Sequence, residues 1–301
     1  MIPADPSDAG RLDALDQPDV DWSPAGAPTL EPTVTATAVA ARAGGRLLFT
    51  GLDATVTAGQ FVAVLGPNGA GKSTFLRMLL GLHPLGGGSL LVLGQRPGRH
   101  NRDIGYLPQR RSFDAAVRIR GVDLVRLGVD GHRWGTPLPL VRRLLDRAGV
   151  EAERRRVQDV IARVGATGYA GRPIGEMSGG EQQRLLIAQA LVRHPRLLIL
   201  DEPLESLDLP NQQGVAGLLQ RISADGVTVV IVAHDVNPIL DYLDQVIYIV
   251  GGRALAGTPA EVITTDNLSR LYGAPVEVVR TPSGRLVVVG QPEAASFHAD
   301  H

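Results

Sequence analysis

The chain has 301 residues, a formal net charge of −1 and no cysteine. That length buries a core with room to spare, the balanced charge gives no bulk attraction to nucleic acid, and the missing thiols exclude disulfides and thiolate metal sites. The longest apolar runs, such as Val227 to Ala233, fall far short of the roughly 20 residues a membrane-spanning helix needs, so any membrane association is expected to go through a partner.

Residues 1–31 carry seven acidic residues and one arginine among many Pro, Ala and Gly. They read as a disordered acidic tail, and their lack of an apolar h-region argues against a secretory signal. Residues 33–60 alternate weakly, through Val34, Ala36, Leu47, Phe49, Leu52 and Val56, with turns at Gly44-Gly45 and Ala58-Gly59. This predicts an antiparallel β-layer leading into the next strand.

Phe61 to Leu65 is a short apolar run that reads as a buried strand. Gly66 to Lys72 is a glycine-containing loop, and Ser73 opens a helix with Phe75, Leu76, Leu79 and Leu80 on one face. The pattern G-x-x-x-x-G-K-[ST] falls at Gly66, Gly71, Lys72 and Ser73. Such a loop turns backbone N–H groups inward around phosphate oxygens, and the helix N-terminus points its positive dipole end at the same anion. The expected phosphate-binding residues are Gly66, Pro67, Asn68, Gly69, Ala70, Gly71, Lys72, Ser73 and Thr74. Lys72 reaches the terminal phosphates and Ser73 ligates Mg²⁺. Lys72 is also the single lysine of the chain, kept where a compact, flexible charge is needed and an arginine fork would fit badly.

Ser89 to Leu93 and Ile104 to Gln109 read as short strands, the second ending in a glutamine. From Val117 to Val164 the apolar pattern turns helical, through Val122, Val125, Leu127, Leu140, Leu144, Leu145, Val157, Val160 and Ile161. This predicts a mostly α-helical subdomain over about 112–176, inserted in an α/β core. The arginine clusters Arg110-Arg111, Arg142-Arg143 and Arg154-Arg155-Arg156 read as solvated faces, with contact to a partner subunit as the alternative. Ser178 is an expected N-cap with Glu181 three residues on, and Gly179 and Gly180 make the helix mouth an anion-binding end.

Leu197 to Glu202, LLILDE, reads as a buried strand that delivers two carboxylates at its C-terminal edge, where ligands bind in parallel α/β sheets. Asp201 is expected to hold Mg²⁺ and Glu202 to polarise a water beyond the terminal phosphate. Val227 to Ala233 is a further buried strand, ending at His234. Ile247 to Ala254 suggests a hairpin, residues 258–273 look helical, and Val276–Val279 with Leu286–Val289 suggest a second hairpin. Residues 291–301 read as a disordered tail. A weak metal pair at His298 and His301 is the lesser reading there.

A P-loop with a strand ending in Asp-Glu points to a Mg-nucleotide hydrolase on chemistry alone. With the Ser178-Gly179-Gly180 helix mouth and the histidine ending the next strand, the sequence resembles the ATP-binding subunits of ABC transporters over residues 33–255. The resemblance implies an ABC-type P-loop ATPase core over 32–255, followed by a C-terminal extension over 256–290. It implies that Gln109 senses Mg²⁺ and the γ-phosphate, that Ser178, Gly179, Gly180, Glu181 and Asp208 contact nucleotide, that Glu202 is the catalytic base and that His234 contacts the γ-phosphate. Mg²⁺ would be held by Ser73, Gln109 and Asp201, with ATP as the nucleotide. The family's adenine-stacking aromatic falls at Ala43, beside Arg42, and Glu181 replaces the usual glutamine.

One P-loop and one SGG element per chain imply a head-to-tail pair of copies. The expected partners are that second copy and integral membrane permease subunits, with a solute-binding protein in the same system and no nucleic acid. The chain is expected in the cytoplasm, peripheral on the inner face of the membrane. The segments GYLPQRRSFDAAVRIRGVDLVRLG, DEPLESLD, VAHDVNPIL and LSRLYGAPVEVV look like those of zinc, manganese or iron importers. The alternatives are a siderophore or cobalamin importer, an exporter, or a soluble ABC ATPase. The last usually carries coiled coils or two cassettes.

Overall fold

The computed structural model describes residues 32–109, 113–130, 147–272, 275–280 and 286–289. The tails at 1–31 and 291–301 lie outside the described residues, as do His298, His301, Leu140, Leu144, Leu145 and the arginine pairs 110–111 and 142–143.

Strands β1 (Val34–Ala43), β2 (Arg46–Val56) and β4 (Gly87–Val92) form the antiparallel layer, with β1 between the other two. Strand β3 (Phe61–Leu65) leads into helix α1 (Lys72–Leu79). Strand β5 (Ile104–Leu107) follows, then helices α2 (Gly121–Asp130), α3 (Arg147–Arg163) and α4 (Gly179–Leu191). Next come β6 (Leu197–Asp201), α5 (Leu209–Ala224), β7 (Thr228–Val232), β8 (Gln245–Val250) and β9 (Arg253–Gly257). The chain continues through α6 (Pro259–Val262), α7 (Thr265–Tyr272) and the hairpin β10 (Glu277–Arg280) and β11 (Leu286–Val289). No helix among the described residues is long and apolar enough to cross a membrane.

The main sheet runs in the order β4-β1-β2-β9-β8-β3-β7-β6-β5. Its central part, β8-β3-β7-β6-β5, is parallel throughout. The apolar runs LLILD and FVAVL lack polar alternation because both faces of this sheet are covered. On one face Phe61, Ala63, Leu198 and Leu200 pack against Leu185, Ala188 and Leu191 of α4 and Leu219 of α5. On the other, Val62, Val64, Leu197 and Ile199 pack against Phe75, Leu76 and Leu79 of α1 and Phe49 of β2. Each buried Val, Leu, Ile or Phe among them contributes roughly 1.5–3 kcal/mol.

Two positions of the apolar patterns differ, Leu47 of β2, which is 41% exposed, and Leu127 of α2. Leu127, grouped with Val122 and Val125 in the apolar pattern, is 55% exposed. It lies two positions from the buried Val125, about 200° around the helix, so the face that packs on α4 turns it outward.

Candidate active site

Register brings the site together. Val232 of β7 is opposite Val64 of β3 on one side and Asp201 of β6 on the other. The residues just beyond these strands, Gly66, Glu202 and His234, therefore emerge along one sheet edge. Leu107 of β5 is opposite Leu200, so Gln109 joins the same edge from the far side. This is the carboxyl edge, where open α/β sheets hold their ligands.

The phosphate loop starts at Gly66, with φ 140°, where a Cβ would lie 1.9 Å from the carbonyl oxygen of Ile249 in β8. No larger residue fits, and this contact seats the loop on the sheet. Lys72 is only 5% exposed. Its Nζ donates to the carbonyl oxygens of Gly66 at 2.7 Å and Pro67 at 3.1 Å, so the ammonium braces the loop that precedes it. Burial lowers its pKa, while Glu202 and Asp201 oppose the shift. Ser73 Oγ donates to Asp201 Oδ1 at 3.2 Å, which links the start of α1 to the end of β6.

Glu202 is the hub. Its Oε1 lies 2.5 Å from His234 Nε2, and because a carboxylate only accepts, Nε2 carries the proton. Its Oε2 accepts from Gln109 Nε2 at 2.5 Å, and Gln109 also donates to Glu205 at 3.2 Å. Glu202 has φ 54°, in the left-handed region that costs a non-glycine residue of order 1–3 kcal/mol. Its backbone N–H still bonds Val232 O at 3.1 Å, so the chain leaves β6 abruptly while the residue stays anchored to β7. Burial raises the pKa of Glu202. His234 opposes this, and Glu205 and Asp201 add to it. Burial likewise raises Asp201, against the Ser73 bond and the charges of Arg77, Lys72 and His234.

The donors around Ser73 suit a hard cation. The Ser73 hydroxyl and the Asp201 carboxylate it bonds are oxygen ligands of the kind Mg²⁺ takes, and Gln109, bonded to the adjacent Glu202, carries a further candidate in its amide oxygen. Among the described residues no group of three or more His, Cys, Asp and Glu could hold a metal. That fits a cation bound by one carboxylate and neutral oxygens, with substrate phosphates completing its shell.

The helix mouth at Ser178 is built as a capping box. Ser178 Oγ accepts from Glu181 N at 3.2 Å, and Glu181 Oε2 accepts from Ser178 N at 2.8 Å. Arg172 reaches the other oxygen of Glu181 at 3.4 Å, so the acid that stands for the family's glutamine is both a cap and a charge partner. Gly180 packs so tightly on Asn211 that a Cβ would fall 2.2 Å from Asn211 Oδ1. Asn211 in turn is held by Asp208, the N-cap of α5, whose Oδ1 accepts from its N and Nδ2. No hydrogen bond or ion pair among the described residues joins Ser178–Glu181 to the phosphate loop, Glu202 or His234. The structure thus brings Lys72, Ser73, Gln109, Asp201, Glu202 and His234 together, and leaves Ser178, Gly179, Gly180 and Asp208 as a separate group.

Arg42 donates to Gly45 O at 3.3 Å across the β1–β2 turn, with its stem against Gly86. Directly opposite Ala43 in register stands Arg46. Reading the sequence missed Glu205, whose signal was its place three residues beyond Glu202. It also missed Gln182, which is buried and has all its bonds within one loop cluster. Gln182 Nε2 donates to Ile174 O and Met177 O, and its Oε1 accepts from Phe113 N.

The ABC transporter family profile matches residues 49–205. The zinc transport ATP-binding protein TroB of Treponema pallidum is 32% identical over 234 residues, 77% of this chain and 84% of that protein. The manganese transport ATP-binding protein MntB of Bacillus subtilis is 33% identical over 218 residues, 72% and 83% of the two chains. The hemin import ATP-binding protein HmuV of Streptomyces coelicolor is 36% identical over 253 residues, 82% and 85%. Among solved structures, an inward-facing metal-chelate-type ABC transporter is 25% identical, with a TM-score of 0.70 over 86% of this chain and 96% of that one.

Proposed function

As the chain belongs to the ABC transporter family, we propose that it is the ATP-hydrolysing subunit that drives import of a divalent metal cation, zinc or manganese, through separate membrane subunits. The relatives TroB and MntB support that cargo. The match to HmuV, over a longer stretch, supports a second reading in which the cargo is an iron chelate.

The site residues take these roles. The loop Gly66, Pro67, Asn68, Gly69, Ala70, Gly71 binds the phosphates with Lys72, Ser73 and Thr74. Lys72 exchanges the carbonyls it now bonds for phosphate oxygens. Ser73, Asp201 and Gln109 hold Mg²⁺, which when bound neutralises charge on the β- and γ-phosphates. Glu202 orients the attacking water and accepts its proton. Gln109 fixes the carboxylate, and His234 exchanges its bond to Glu202 for one from the same N–H to the γ-phosphate. Ser178, Gly179, Gly180, Glu181 and Asp208 close the site on a second copy of the chain, arranged head to tail. Permease subunits and a solute-binding protein complete the system, and the permease holds the subunit at the membrane's inner face.

The observation that carries this reading is the Glu202 carboxylate, held at the sheet edge by Gln109 and His234. Glu202→Gln is expected to keep ATP affinity, lose turnover and accumulate as an ATP-bound dimer. Hydrolysis at the parent rate in that variant would remove Glu202 from the base role.

A further inference from the structure

The chain past β9 does more than extend the domain. Val262, Ile263, Leu268, Val276 and Val288 are buried in the same cluster as Val236, Ile239 and Leu240, which follow directly on His234. The loop that carries His234 is therefore backed by the C-terminal segment. One side chain joins the two. Asn237 donates from its N and Nδ2 to Asp235 Oδ1 at 2.9 and 2.8 Å, and its own Oδ1 accepts from Val288 N of β11 at 3.3 Å. Asp235 is the immediate neighbour of His234, so a single chain of bonds runs from the hairpin to the residue beside the imidazole.

We propose that the β10–β11 hairpin sets the position of the His234 loop, with Asn237 as the positioning residue that joins them, so that displacing the hairpin slows hydrolysis without weakening nucleotide binding. This rests on the reading of His234 as a group of the hydrolytic site. The physical basis is local. The phosphate loop is seated on β8 and braced by Lys72, and among the described residues no hydrogen bond joins it to the hairpin, whereas His234 sits on a loop that shares a buried cluster with Val288 and is bonded to it through Asn237. Any partner that pulls on the hairpin would reach Glu202 through His234. The loop's bonds and packing thus form a control point on the turnover step.

The test uses the full chain with Asn237→Ala and Val288→Asp, the second of which undocks the hairpin and leaves every side chain of the His234 loop unchanged. Each variant is expected to lower kcat for ATP about tenfold, since small displacements of a positioning group cost large factors in rate. The KM and the nucleotide Kd should stay within about twofold. The His234 imidazole resonance, assigned by its loss in His234→Ala, should shift in both variants while the other histidine resonances stay in place. An unmoved His234 resonance, an unchanged kcat, or a loss of nucleotide affinity in place of kcat would overturn the proposal. If His234→Ala itself left kcat intact, the role of His234 would fail instead, so the two failures are separable.

Discussion

Glu202 combines three properties that rarely coincide at one residue. It has a left-handed backbone, both carboxylate oxygens are engaged, and burial raises its pKa. A base must be deprotonated to work. The acid limb of the pH–rate profile should therefore lie above the pH at which a free glutamate titrates, with kcat/KM falling as pH drops through it. Glu205 adds to that upward shift. Glu205→Gln is expected to move the acid limb to lower pH, and a profile unchanged in that variant would show that another group sets it. Lys72 is read at the same scale. Its ammonium replaces lost solvation with two loop carbonyls, so Lys72→Ala should lose nucleotide affinity as measured by equilibrium binding, whereas Glu202→Gln should not.

Each element forms for local reasons, and these were the parts legible in sequence. The glycine loop between FVAVL and its helix, the LLILD strand and the Ser178 cap all carry their signals within a few residues. The capping box appeared as Ser178 with Glu181, and the structure adds Arg172 as the partner of the acid. The exchange of glutamine for glutamate should therefore be neutral to the fold. Glu181→Gln keeps an acceptor for Ser178 N and is expected to leave the melting temperature within about one degree, while Glu181→Ala should cost about 1 kcal/mol and lower it by roughly 2–4 °C. Calorimetry of the two variants checks this. What the sequence could not yield was set by distant register. That Val232 stands between Val64 and Asp201, placing His234 beside Glu202 and the phosphate loop, follows from pairing with strands well separated in the chain, β3 the farther of the two. Nor does any residue pattern announce the φ of Glu202, or the burial of Val288 against the His234 loop. Leu127 was misplaced for a related reason, because period alone does not say which side of a helix meets its neighbour.

At the scale of the whole molecule, the proposed site residues fall into two groups. Lys72, Ser73, Asp201, Glu202, Gln109 and His234 converge on one sheet edge, while the Ser178 mouth and Asp208 form a second group without a bond to the first. The account therefore turns on two copies sharing each nucleotide. Its most direct test is the ATPase rate per subunit, measured by phosphate release across a dilution series that spans the dimer's dissociation, with the association state followed by light scattering. The account predicts that the specific rate collapses as the dimer dissociates. A specific rate that stays constant while the population becomes monomeric would contradict it.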